Sequence, residues 1–150
     1  MDVNDIKNLL GLKLYNIGRA SDMCWMIFSS EKEDIFYSLH LQCPWRIRKK
    51  NNLLLSNLDI YELSSNLVMS GEEWDDSKKT LFDEKVEKLS FINKIKIDNI
   101  VIKEMNDLSI LLSDSSVIEC FVNDSQYECW RFFKKGDEQH LVVTGQGIEE

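Results

Sequence analysis

The feature that most constrains this chain is how short its apolar segments are. They fill slots of five to eight residues, separated by Asn/Asp/Ser turns such as Asn106-Asp107 and Ser113-Asp114-Ser115-Ser116. Slots of that length suit β-strands and are too short for most helices. Phe36–Cys43 alternates cleanly, with Tyr37, Leu39, Leu41 and Cys43 on one face and Ser38, His40 and Gln42 on the other. Met23–Phe28 is apolar on both faces, the pattern of a strand covered on both sides. Further strands are expected at Leu12–Ile17, Trp45–Ile47, Leu53–Tyr61, Leu108–Leu112, Val117–Val122, Glu128–Phe133 and His140–Thr144, and at Ile95–Lys103 with a phase slip at Asp98-Asn99. The single proline, Pro44, cannot donate to a ladder, so the chain must bulge or lie at an edge there.

Two segments break the strand period. Asn4 followed by Asp5-Ile6-Lys7-Asn8-Leu9-Leu10-Gly11 reads as a short capped N-terminal helix. Between Gly71 and Ile92, Leu81, Phe82, Val86 and Leu89 recur at helical spacing, predicting one principal helix over about 78–90, capped by Asp76 or Ser77. The expected fold is therefore α+β, a mostly antiparallel β-sheet with one principal helix and a short N-terminal helix. At 150 residues, with six glycines and no Ser/Gly/Pro-rich linker, the chain is expected to form a single domain over 1–150.

Charge and cysteine usage exclude several function classes. The net charge is −8, and it is uneven: residues 1–60 carry +1 and residues 61–150 carry −9. An acidic chain repels phosphate backbones, so no direct nucleic-acid partner is expected. The one basic cluster, Arg46, Arg48, Lys49 and Lys50, reads as a solvated strand end before a turn at Asn51-Asn52. No apolar run is long enough to cross a membrane as a helix. The start, with Asp2 and Asp5 and no basic region, does not read as a signal peptide, so a cytoplasmic location is expected. Cys24, Cys43, Cys120 and Cys129 lack the paired spacing of a zinc site, and each lies in an apolar stretch. They read as buried reduced thiols, with no metal and no cofactor expected.

No catalytic motif emerges. His40 and Cys43 are close in sequence, but their parity puts them on opposite strand faces. Gly145-Gln146-Gly147 lacks the serine of a nucleophile elbow and reads as a C-terminal turn. Glu72, Glu73, Asp75 and Asp76 surround Trp74, an anchor type enriched at interfaces. This acidic run reads equally as a helix cap and as a patch for a basic partner.

The blocks Tyr37–Ile47, Ser56–Tyr61, Cys129–Phe133 and His140–Glu149 together resemble a family of small, uncharacterised bacterial cytosolic proteins. The resemblance is similar in type to toxin-immunity proteins. It implies that the chain is itself non-enzymatic and binds and neutralises a protein partner, a cognate toxin domain of basic character. On that reading the contact surface is expected at Asp59, Glu62, Glu72, Glu73, Trp74, Asp75 and Asp76. The alternative is a small-molecule-binding module or enzyme whose His40, Arg46, Asp59 and Arg131 meet in a polar pocket.

Overall fold

The computed structural model describes residues 1–149, and eleven strands form two antiparallel sheets. The first sheet holds β1 (Lys13–Ala20), β2 (Met23–Ser29), β3 (Phe36–Leu41), β9 (Trp130–Lys134), β10 (Leu141–Thr144) and β11 (Gly147–Glu149), in that spatial order. The second runs β5 (Asn52–Ser56), β4 (Trp45–Lys49), β8 (Ser116–Cys120), β7 (Leu108–Leu112) and β6 (Ile97–Ile102). The fold is α+β, mostly antiparallel, as the short apolar slots require. The chain leaves the first sheet after β3, builds the whole second sheet, and returns at β9.

Pro44 sits where the chain changes sheets. Its carbonyl, the only hydrogen-bonding group its backbone keeps, accepts from Phe121 N at 2.9 Å. The sheets also meet at a second seam, where Leu12 and Leu14 exchange backbone hydrogen bonds with Ile95 and Ile97. One contiguous apolar cluster joins them. Met26, Phe28, Leu39, Trp130 and Phe132 from the first sheet meet Trp45, Ile47, Ile110 and Ile118 from the second. Cys24, Cys43, Cys120 and Cys129 are free and buried. Burial pushes the Cys24 thiol up, whereas a hydrogen bond from Cys120 holds the Cys43 thiol below its usual value.

Bulges correct the phase in two strands. In β1 the register shifts between Leu14 and Asn16, so Leu14 and Ile17, of opposite parity, are both buried. Strict alternation over Leu12–Ile17 therefore fails. In β6 the shift falls between Ile97 and Asn99, where the phase slip was expected. Gly18 is required by packing: the Trp25 indole lies across it and leaves no room for a Cβ.

The helical elements differ from the sequence reading in detail. The N-terminal helix Val3–Leu9 is of the 3-10 type and is capped by Asp2, whose carboxylate accepts from Asn4 N at 2.6 Å, so Asn4 is not the cap. Residues 57–61, expected to extend a strand, form a second 3-10 helix, because the Asp59 carboxylate reaches back to Ser56 N at 2.9 Å. A short helix α1 (Ser65–Met69) went unseen in the sequence. The principal helix α2 (Leu81–Lys88) is shorter than 78–90 and starts later. Its cap is Thr80, reciprocally bonded with Asp83, and not Asp76 or Ser77. Asp75 is instead used up locally, accepting from both the backbone and the hydroxyl of Ser77. β11 turns the expected C-terminal turn into a hairpin, with Val143 opposite Ile148.

Arg19 on β1 ties α2 to the first sheet. Its Nε and Nη2 each meet one Asp83 oxygen at 3.0 Å, and its remaining donors go to the carbonyls of Ser21, Asp76 and Lys78. The guanidinium is thus saturated and its side chain only 10% exposed. Burial pushes the Asp83 carboxyl up, but the Arg19 and Thr80 hydrogen bonds outweigh it, and the net position is below the usual carboxylate range. Arg19→Ala is expected to cost about 2 kcal/mol in a urea-unfolding measurement, since it leaves several acceptors and one carboxylate unmatched. Arg19→Lys should recover little of this, because a point ammonium cannot reproduce the five-contact fork. Full recovery by lysine would show that charge alone matters there.

Candidate partner-binding surface

Residues 64–79 form an excursion closed at its base. Leu63 and Thr80 make an isolated antiparallel bridge, Ser64 N donates to Lys79 O at 3.0 Å, and Leu81 N donates to Glu62 O at 2.7 Å. Such a pinched loop holds its side chains on a fixed base while leaving them outside the core. Arg19 fixes the returning limb through the carbonyls of Asp76 and Lys78. The loop carries Glu72, Glu73, Trp74, Asp75 and Asp76, all exposed.

Trp74 is exposed but not free. Its indole N–H donates to Ile60 O at 3.0 Å, and its ring tilts against Tyr61 at 5.8 Å. It remains 42% exposed, and Tyr61 48%. Tyr61 in turn donates its hydroxyl to Asp22 at 3.2 Å, and burial first, then that carboxylate, raises its phenol above the usual value. Leu58, Val68 and Met69 add exposed apolar side chains along the same 57–76 segment.

The seven residues expected at the contact surface do not all lie there. Glu72, Glu73 and Trp74 present their side chains outward, and Glu62 is exposed at the base of the loop. Asp75 and Asp76 are exposed but committed, Asp75 to Ser77 and Asp76 to Ser21. The two Ser77 hydrogen bonds hold the Asp75 carboxyl below the usual range. Asp59 falls out of the surface. It is 6% exposed, turned inward, and pairs with Lys85 of α2 at 3.1 Å. A carboxylate closing its own capping box has no face left for a partner.

The alternative quartet does not assemble into a pocket. His40 and Arg131 are cross-strand partners on the outer face of the first sheet, whereas Arg46 lies on the second sheet and Asp59 beneath α2. His40 and Arg131 instead join a set that sequence distance hid. Glu128 receives Arg131 Nε at 2.8 Å and Gln42 Nε2 at 2.6 Å, and Arg131 Nη1 meets His140 Nδ1 at 2.8 Å. A guanidinium only donates, so in this contact His140 Nδ1 is the acceptor. Phe133 stacks on His140 at 4.0 Å and meets His40 edge-on at 5.1 Å. The two histidines of the chain thus share one aromatic ring, although a hundred positions separate them.

No family model, curated protein or solved structure matches this chain. Among the described residues no helix is long and apolar enough to cross a membrane, and no group of His, Cys, Asp or Glu is arranged to hold a metal ion.

Burial first, and then the Arg131 charge, lower the His40 imidazole, with Glu128 opposing them. The unfolded chain therefore takes up this proton before the folded one does. The His40 contribution is intact above its unfolded value of about 6.5 and shrinks as pH falls below it. Melting temperature measured from pH 7.5 to 5 should fall, and His40→Gln should flatten the fall. An unchanged slope would place the acid sensitivity elsewhere.

Proposed function

We propose that this chain is a non-enzymatic immunity-type protein that binds and neutralises a basic toxin domain of the nuclease kind. The observation that carries the reading is Trp74. It is a half-exposed indole, fixed by its own hydrogen bond and preceded on a pinned loop by Glu72 and Glu73, whose carboxylates make no ion pair among the described residues. Aromatic anchors of this kind supply contact area at low entropic cost, because little side-chain freedom is left to lose. Glu72 and Glu73 beside it, with Glu62 at the base, give the anchor an acidic rim. A nuclease cleft is basic, because it must hold phosphates, and an acidic rim steers such a surface into register.

The uneven charge supports the same direction. The −9 of residues 61–150 favours approach of a cationic partner to the part of the chain that carries the loop. The residues suited to chemistry are dispersed over two sheets and a buried ion pair, as described above, which weighs against a pocket enzyme built on them.

The test is titration against a basic nuclease toxin domain identified in the genomic neighbourhood of this chain. Glu72→Lys with Glu73→Lys is expected to slow association and weaken its salt dependence. Trp74→Ala is expected to act mainly on dissociation, costing about 2 kcal/mol or more. Asp75 and Asp76 are left intact because their carboxylates hold the loop. Binding indifferent to both changes would remove this surface, and no detectable binding would remove the immunity reading for that pair.

A further inference from the structure

The second sheet carries a feature of opposite charge on its outer face. Glu119 of β8 is 6% exposed, yet it stands on the solvent side of the sheet, opposite Arg46 in the β4–β8 register. One of its oxygens, Oε1, accepts from Arg46 Nε at 2.8 Å and from Arg48 Nε at 2.7 Å. Burial raises its carboxyl, but the bonds from Arg48 and Arg46 outweigh this and hold it ionised. A single carboxylate therefore serves two guanidinium groups, and one positive charge is left over.

Each guanidinium is gripped by its Nε, which leaves Nη donors available to another acceptor. Among the described residues the Arg46 Nη groups make no hydrogen bond, and of the Arg48 pair only Nη1 does, to Lys50 O at 3.2 Å. Arg46 is further fixed by lying over the Phe121 ring at 5.6 Å. Lys50 follows in the β4–β5 turn in a left-handed conformation, φ 53°. Arg46, Arg48, Lys50, Asn51, Asn52 and Leu53 together line an open depression of about 470 Å³, and no carboxylate is among them.

We propose that this depression binds a phosphate-bearing small molecule, with Arg46, Arg48 and Lys50 as the anion contacts and Glu119 as the positioning residue. Two forks held at fixed spacing match the oxygens of one phosphate, and their orientation is fixed before the ligand arrives. Glu119 thereby does more than neutralise charge: it aims both arginines. The volume exceeds what a bare phosphate fills, and Asn51, Asn52 and Leu53 offer amide donors and an apolar contact for the remainder of a ligand. Nothing in this site depends on the acidic loop or on the toxin partner.

The test is nuclear magnetic resonance titration of the intact protein with inorganic phosphate and, separately, with adenosine monophosphate, at constant ionic strength. Saturable shifts are expected at the Arg46 and Arg48 Nε–H groups and at the amides of residues 49–53. Tighter binding of the nucleotide assigns a phosphorylated metabolite, and equal affinity assigns the free ion. Arg46→Lys keeps the charge but loses the fork, and should weaken binding roughly tenfold or more. Glu119→Gln discriminates further. Removing a negative charge would strengthen a merely electrostatic patch, whereas loss of positioning should weaken the site. Trp74→Ala should leave these shifts unchanged. If Glu119→Gln fails to fold by its melting curve, Arg46→Lys alone decides. Shifts that do not saturate by about 10 mM phosphate, that chloride reproduces, or that Arg46→Lys leaves intact would overturn the site.

Discussion

The Arg19 fork is the contact on which the placement of α2 and of the loop that carries Trp74 depends. Arg19 belongs to β1 and Asp83 to the first turn of α2, and their two hydrogen bonds at 3.0 Å hold the helix against the first sheet. The same guanidinium takes the carbonyls of Asp76 and Lys78, so the loop that carries Trp74 is fastened by the group that fastens the helix. Helix, loop and strand are thereby coupled. An eight-residue helix is too short to stand alone in water, and α2 relies on such contacts and on Phe82 packing edge-on against Trp45 at 6.0 Å. Lys85, on the same helix, reaches Asp59 and ties in the 3-10 helix whose Ile60 carbonyl anchors the Trp74 indole.

Much of the fold was legible because strands declare themselves by local alternation. β3, β7 and the β6 bulge are visible in runs of a few residues, whereas Pro44 signals only a bulge or an edge and in fact marks the change of sheet. Two of the failures share one cause: a side chain reached a backbone group the pattern does not encode. Asp59 closing on Ser56 N turned an extended stretch into a 3-10 helix, and Thr80 with Asp83 moved the helix start past Asp76 and Ser77. Ser-Asn-Leu-Val-Met carries too few turns to display a helical period, so α1 left no signal.

The candidate surface was legible in composition and not in geometry. An acidic run around a tryptophan can be read directly, but exposure cannot. Asp59 shares the charge and neighbourhood of the other acids and is nonetheless buried, because Lys85, 26 positions away, neutralises it. The sharing of Phe133 by His40 and His140, and of Glu119 by Arg46 and Arg48, depends on strand pairings that no local pattern announces. Nothing at Glu119 in the sequence distinguishes it from a solvated acid, yet its neighbours in β4 turn it into the centre of a basic cluster.

Two charged features of opposite sign therefore sit on one small acidic chain, and they are built by the same principle. On the loop, backbone acceptors and a tyrosine immobilise an indole whose outer face stays open. On the second sheet, a buried carboxylate immobilises two guanidinium groups whose outer ends stay open. In both, other groups hold a side chain still while its outer face stays open. Water meets the open groups in the free protein, so leaving them without a protein partner costs little while the side chain keeps its orientation. Fixed orientation with open capacity is what these two places have in common. Lys79 with Glu87, exposed at 47% and 63%, merely satisfies one charge with another and presents nothing outward.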